Sequence, residues 1–242
     1  MKMRLNKFLS ACGLGSRRKT EEFILKGQIK VNSTVIKKLS VAVDPETDIV
    51  ELNNKRIRPA LEHHYLILNK PKGLITTASD EKNRPIVMNI IPERYRRFGV
   101  LPVGRLDKDT EGLLLLTNDG ELAYRLSHPK FEIRKEYLAE IDRALADSDR
   151  ERIESGFYLH QIKTRTGKAS IQTVNHEKNI IKMIISEGKK RQVRLTFQNL
   201  GYQVISLTRT GYGTLRLRGL KKGHCRELKS PEIKSLMELV KL

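Results

Sequence analysis

Gly104-Arg105-Leu106-Asp107-Lys108-Asp109-Thr110-Glu111-Gly112 runs directly into Leu113-Leu114-Leu115-Leu116-Thr117-Asn118-Asp119-Gly120. A glycine-bounded polar loop hands over to a short, solid apolar run, and a turn tetrad closes it. Apolar runs of this length between turn signals read as buried strands. The loop is therefore carried on a rigid support, where a reactive side chain can be held still. Asp107 is the candidate it presents. An isolated loop aspartate is more often a turn-former or a helix cap. What singles this one out is the company it keeps elsewhere in the chain.

That company is basic. The chain has 242 residues, with 47 Lys+Arg against 28 Asp+Glu and a formal net charge of +19. Such an excess repels itself in the compact state and points to a polyanionic partner. No stretch approaches the roughly 20 apolar residues of a bilayer span. Without a lipidation motif or a long amphipathic basic helix, nucleic acid is expected rather than a membrane. A generally solvated basic surface is the plainer alternative. Asn6, Lys7, Ser10 and Arg17 interrupt any apolar signal region at the start, so no export signal is read. Cys12 and Cys225 match neither a disulfide framework nor a metal spacing, and a reducing cytoplasmic location is expected. His63-His64 and His224-Cys225 have no partners at ligand spacing, so no metal site is expected.

A seam near residue 60 divides a basic module, 1–60, from a larger unit, 61–242. In the module Leu5, Phe8, Leu9 and Cys12 recur at helical spacing and Gly13 and Gly15 end that helix. Ser16 reads as the N-cap of a second helix through Leu25, stopped by Gly27. Ile29 to Val35 reads as a hairpin around Asn32-Ser33, and Arg58, Pro59, Ala60 and Glu62 as a linker. Arg17, Arg18 and Lys19 occupy the first turn of the second helix, where the macrodipole disfavours cations. Folding gives no reason to put them there, whereas phosphate binding does. With Arg4-Leu5-Asn6-Lys7-Phe8-Leu9 and Gly27-Gln28-Ile29-Lys30-Val31-Asn32, the module resembles the RNA-binding domain of ribosomal protein S4 and several RNA-modifying enzymes. The resemblance implies that Arg4, Arg17, Arg18, Lys19 and Lys30 meet RNA.

Beyond the seam, Tyr65-Leu66-Ile67-Leu68 reads as a strand leading into a loop, Asn69-Lys70-Pro71-Lys72-Gly73. Glu121 to Leu126 reads as a helix stopped by His128-Pro129. Ile133, Lys135, Tyr137, Ala139 and Ile141 alternate along a strand, with Lys135 and Tyr137 on one face. Ser230-Pro231 reads as an N-cap and first residue of a last helix running to Leu242. Glu187-Gly188-Lys189-Lys190-Arg191-Gln192-Val193-Arg194 follows the strand Ile181–Ile185. In it Val193, Phe197 and Leu200 form an apolar helical stripe, and Arg191 and Arg194, three apart, share the opposite face. Read locally, this is either an RNA-facing patch or part of a reactive site.

Residues 104–120, with Lys70-Pro71-Lys72-Gly73, His128-Pro129, Lys135-Glu136-Tyr137 and Gln192-Val193-Arg194 in the same order, resemble the pseudouridine synthases that act on single sites in ribosomal RNA. Many relatives carry a basic residue and then methionine after Gln-Val-Arg, where Leu195 and Thr196 stand here. The resemblance implies an α+β chain: the small RNA-binding module plus a mixed α/β catalytic domain with a largely antiparallel central sheet and a basic cleft. It implies Asp107 as nucleophile, Arg194 as its cationic partner and Tyr137 against the target base. Arg105 would fill the space left by a flipped uridine, at a cost of a few kcal/mol for the flip, and Lys70, Lys72 and Arg191 would line the RNA path. Neither redox change nor hydrolysis is involved, so no cofactor is expected.

Free Asp titrates near ~3.9, and a close guanidinium lowers that, so Asp107 is expected to be ionised. The partner is expected to be ribosomal RNA or a ribosomal-subunit precursor, the target a large-subunit uridine, and the chain a monomer. The rivals are a small-subunit or tRNA target, a ribosome-assembly factor without catalysis, and a metal-dependent RNA hydrolase using Asp107 with Asp109. Binding alone needs no carboxylate in a cationic cleft, and no further acid or histidine cluster supports a metal.

Overall fold

The computed structural model describes residues 2–59 and 62–242; Ala60, at the centre of the expected linker, lies outside them. In the N-terminal module, helices Leu5–Ala11 and Arg17–Leu25 pack on a four-stranded antiparallel sheet. Leu5, Phe8, Leu9, Ile24, Ile29, Val43 and Val50 form its core. Ser16 caps the second helix, its hydroxyl accepting from Lys19 N at 3.3 Å, which contributes about 1 kcal/mol. Asn32 and Ser33 both adopt positive φ, and strands Ile29–Val31 and Thr34–Ile36 pair across them. A second hairpin, Val50–Leu52 with Lys55–Ile57, completes the sheet. Sequence reading did not anticipate it, because its strands are only three residues long.

The larger unit is built on a nine-stranded, largely antiparallel sheet, with strands in the order 169–175, 180–185, 135–141, 204–212, 111–117, 65–70 and 225–227. Strands 215–216 and 101–102 pair with the ends of the central strands 204–212 and 111–117. The solid run Leu113–Leu116 is explained by cover on both faces. Leu114 and Leu116 pack with Leu66, Leu68, Tyr137, Ala139 and Phe197. Leu113 and Leu115 pack with Tyr65, Ile67, Leu122, Leu126, Tyr212 and Leu236. Each such leucine contributes about 1.5–3 kcal/mol relative to exposure.

The sheet's one parallel pairing joins 204–212 to 111–117 through Thr208↔Glu111 and Arg209↔Gly112. Gly112 makes it possible. Its φ is +104°, and a Cβ there would lie 2.3 Å from the Arg209 carbonyl oxygen. The register then sets Lys70, Gly112, Arg209, Tyr137 and Met183 in one row across five strands.

Several boundaries differ from the sequence reading: the last helix ends at Leu239 and not at Leu242, and the strand read from Ile133 begins at Lys135. The strand from Tyr65 continues through Lys70, so the turn begins at Pro71 and not at Asn69. In the last helix, Ser230–Leu239, Ser230 is the first helical residue and Lys229 takes the cap position. The Glu232 carboxylate accepts the Lys229 backbone N–H at 2.8 Å. No helix among the described residues is long and apolar enough to cross a membrane.

Candidate active site

The loop before the Leu run is pinned from beneath. Thr76 Oγ1 donates to the Leu106 carbonyl at 2.8 Å, Gly73 N to Lys108 O at 2.8 Å, and Thr110 N to Asp107 O at 3.1 Å. Lys70 is the main strut. Its side chain is fully buried, and Nζ reaches the carbonyls of Thr110 at 2.9 Å, Asp107 at 3.1 Å, Pro71 at 3.1 Å and Lys108 at 3.4 Å. Lys70 therefore does not line an RNA path, contrary to the sequence expectation. The strand runs two residues further than read and carries its ammonium inward, where its N–H donors serve the carbonyls of the turn beneath Asp107. Burial pulls its pKa down to about 8, against the opposing charges of Asp109, Asp107 and Glu111.

Held this way, Asp107 presents its side chain 37% exposed. No group among the described residues donates a hydrogen bond to its carboxylate. The nearest guanidinium nitrogen is Arg191 Nη1, 4.0 Å from Oδ2. Arg194 does not pair with Asp107 as expected; it goes to Asp109. Arg194 Nε lies 3.2 Å from Asp109 Oδ2, within ion-pair reach although not aligned for an N–H···O bond. Arg194 Nη2 donates to the Asp109 carbonyl at 2.9 Å, and Nη1 to Val204 O at 3.2 Å.

Arg191 also goes to Asp109, at 3.1 Å to Oδ1 and 3.3 Å to Oδ2. It is not a helical residue sharing a face with Arg194. It is the N-cap of helix Gln192–Asn199, with φ +52°, and this left-handed turn swings its side chain over the loop. Burial would raise the Asp109 carboxyl, but the hydrogen bond from Arg191 and the charges of Arg194 and Arg191 outweigh it and hold the pKa below the usual range. Asp109 is thus the acid that gathers the cations. Its place two residues after Asp107, opposite a basic motif, was the available signal.

Glu187 orders the approach to that helix. It accepts from Gln192 Nε2 and, at 2.7 Å, from Gly167 N, and it pairs with Lys189 Nζ at 2.8 Å. Tyr137 is buried on strand Lys135–Ile141 beside Met183 and Arg209. Arg209, missed by sequence reading, is 2% exposed. Its Nε donates to Leu113 O at 2.8 Å, its guanidinium stacks 4.8 Å over the Tyr212 ring, and Nη2 has no hydrogen-bond partner among the described residues. The signal was an arginine at a core-facing place in an otherwise apolar alternation. Lys135 donates to Ile133 O at 2.7 Å and lies 5.9 Å over the same Tyr212 ring. Burial and the Arg209 charge lower its pKa to about 8, with Glu187 opposing.

Arg105, two residues before Asp107, and Lys72, in the turn after strand Tyr65–Lys70, are exposed, as are Arg4, Arg17, Arg18 and Lys19 on the N-terminal module, with Lys30 half-buried. Thr196 is buried and Leu195 half-buried, so the departure from the relatives' basic residue and methionine falls on the packed side of that helix. Among the described residues, no group of three or more His, Cys, Asp or Glu could hold a metal.

A family profile described as RNA pseudouridylate synthase matches residues 64–199, and one for the S4 domain matches residues 3–49. The ribosomal large subunit pseudouridine synthase B of Bacillus subtilis (strain 168) is 42% identical over 241 residues, covering 98% of this chain and 96% of that protein. An uncharacterized RNA pseudouridine synthase of Aquifex aeolicus (strain VF5) is 38% identical over 246 residues, covering 100% and 96%. A crystal structure of a pseudouridylate synthase superposes with a TM-score of 0.71 at 28% identity, covering 97% of this chain and 99% of that one.

Proposed function

The chain belongs to the RNA pseudouridylate synthase family, and on that premise we propose that it isomerises a specific uridine of large-subunit ribosomal RNA with Asp107 as the nucleophile. The observation that carries the nucleophile is the state of that carboxylate. It is fixed by a buried strut, has the Arg191 guanidinium 4.0 Å away and, among the described residues, receives no hydrogen bond on its own oxygens. A held and unencumbered carboxylate is suited to covalent catalysis.

The chemistry balances without a co-reactant. As an Asp107 oxygen bonds to C1′, the N1–C1′ bond breaks and its electron pair leaves with the uracil. The base turns, C5 bonds to C1′, and the C1′–O bond to Asp107 breaks, restoring the carboxylate. The C5 hydrogen departs as a proton and N1 gains one, so the product is an isomer. Tyr137 packs against the turning base in this reading. Arg105, exposed two residues before the acid, stacks in the vacated helix space, where its planar guanidinium serves better than an ammonium. The exposed Arg17, Arg18 and Lys19 hold phosphates some way from the cleft.

The large-subunit target is supported by the near full-length likeness to the Bacillus subtilis synthase. The test is to map pseudouridines across total RNA from cells with and without this protein, then repeat the reaction with purified protein and in-vitro-transcribed ribosomal RNA. One large-subunit position should lose its modification in the deletion strain and regain it in vitro. A lost position in small-subunit RNA or tRNA instead would reassign the substrate.

A further inference from the structure

The two acids of the 107–110 loop divide the available cations unequally. Asp109 takes both guanidiniums through its side chain and one through its backbone carbonyl. Asp107, two residues away on the same loop, has a guanidinium nitrogen at 4.0 Å and, among the described residues, no hydrogen-bond donor. Which acid Arg191 reaches decides what Asp107 can do. A carboxylate wrapped in N–H donors must shed charge-assisted bonds, each about 1.5–3 kcal/mol, before it can attack carbon. A carboxylate far from any cation lacks the field that steers an anionic substrate to it. The observed arrangement avoids both.

We propose that Asp109 is a positioning residue for the isomerisation: it holds Arg191 and Arg194 off the Asp107 oxygens while keeping their charge beside them. The inference rests on Asp107 being the nucleophile. Neighbouring acids are committed elsewhere: Glu111 pairs with Lys222 at 3.0 Å, and Glu187 with Lys189, Gln192 and Gly167. Without the Asp109 carboxylate, Arg191 Nη1 needs to move only about 1 Å to bond Asp107 directly at a normal N–H···O distance. The nucleophile would then be capped by its own neighbour.

Four variants of the full chain test this on in-vitro-transcribed ribosomal RNA, with the melting temperature of each recorded. Asp109→Ala should lower kcat by about 30- to 100-fold with KM within about threefold, since a small misplacement at a reacting group costs this much. Asp109→Asn, which keeps an acceptor oxygen in place, should stay within about fivefold of the parent. Asp109→Ala/Arg191→Ala should turn over faster than Asp109→Ala alone, because the capping donor is gone. If the alanine variant does not fold, Asp109→Ser replaces it, with the same expectation. An alanine variant within threefold of the parent, a loss carried by KM, or a double variant no faster than the single would each overturn the proposal. Asp107→Asn, run alongside, separates the two claims: inactivity there with a near-normal Asp109→Ala removes only the positioning role, whereas an active Asp107→Asn removes the nucleophile itself.

Discussion

Two cationic clusters on this chain are built in opposite ways. Arg17, Arg18 and Lys19 open a helix with no acid in its first turn, stand exposed, and make no ion pair among the described residues. Arg191 and Arg194 are instead drawn onto Asp109, Arg194 with a side chain only 12% exposed. Uncommitted charge can do little but collect a polyanion, and its effect is screened by salt. Balanced charge has its geometry fixed and can shape the reactivity of a neighbouring group. A net charge of +19 thus points to RNA, whereas the proposed chemistry is assigned to the place where positive charge is neutralised.

Several changes would break or sharpen this contrast. The largest effect should come from Gly112→Ala, which leaves the N-terminal cluster untouched and wedges apart the parallel pairing of Gly112 with Arg209. With a Cβ 2.3 Å from Arg209 O, unfolding free energy should fall by more than about 3 kcal/mol, measured by denaturant titration. Arg194→Ala should lower kcat by about 100-fold while RNA affinity changes by only a few-fold, read from single-turnover and binding assays. Equal losses in both would return Arg194 to the class of phosphate contacts.

Lys70→Met should cost about 2 kcal/mol by stranding loop carbonyls, and about tenfold in kcat as the Asp107 loop loosens. It should also change the pH dependence of stability. Burial holds the Lys70 amine near 8, against an ordinary value of ~10.4. Below about 8 the folded and unfolded chains both carry the proton; between about 8 and ~10.4 only the unfolded chain does, so stability rises with pH across that window. Lys70→Met should flatten the rise, leaving the share due to Lys135, which is also held near 8. The smallest effect on catalysis should come from Arg17→Ala/Arg18→Ala/Lys19→Ala. Its kcat at saturating RNA should be unchanged, while the slope of log affinity against log salt falls by about 2–3.

Much of this was legible before any coordinates. The leucine run, the caps at Ser16 and Gly27 and the positive-φ turn at Asn32-Ser33 are local signals, and local physics produced the same elements. The long polar-then-apolar motif also singled out the loop that carries Asp107. Pairings across long sequence separation were not legible. Arg194 was assigned to Asp107 by analogy, yet the left-handed turn at Arg191 and the reach of the loop deliver both guanidiniums to Asp109. Lys70 read as a surface cation because nothing local says that a strand continues one step past an asparagine and turns an ammonium inward. Arg209 is intelligible only once the parallel pairing at Gly112 brings Leu113 O beside it.

Turnover by Asp107→Asn on in-vitro-transcribed ribosomal RNA tests the account most directly, with RNA affinity measured on the same preparation. A loss of at least about 1,000-fold in pseudouridine formation, with affinity within about threefold of the parent, is the expected result for an amide in place of a nucleophilic carboxylate. Turnover above about a tenth of the parent would contradict it, since an uncharged amide could not do the work assigned to that oxygen.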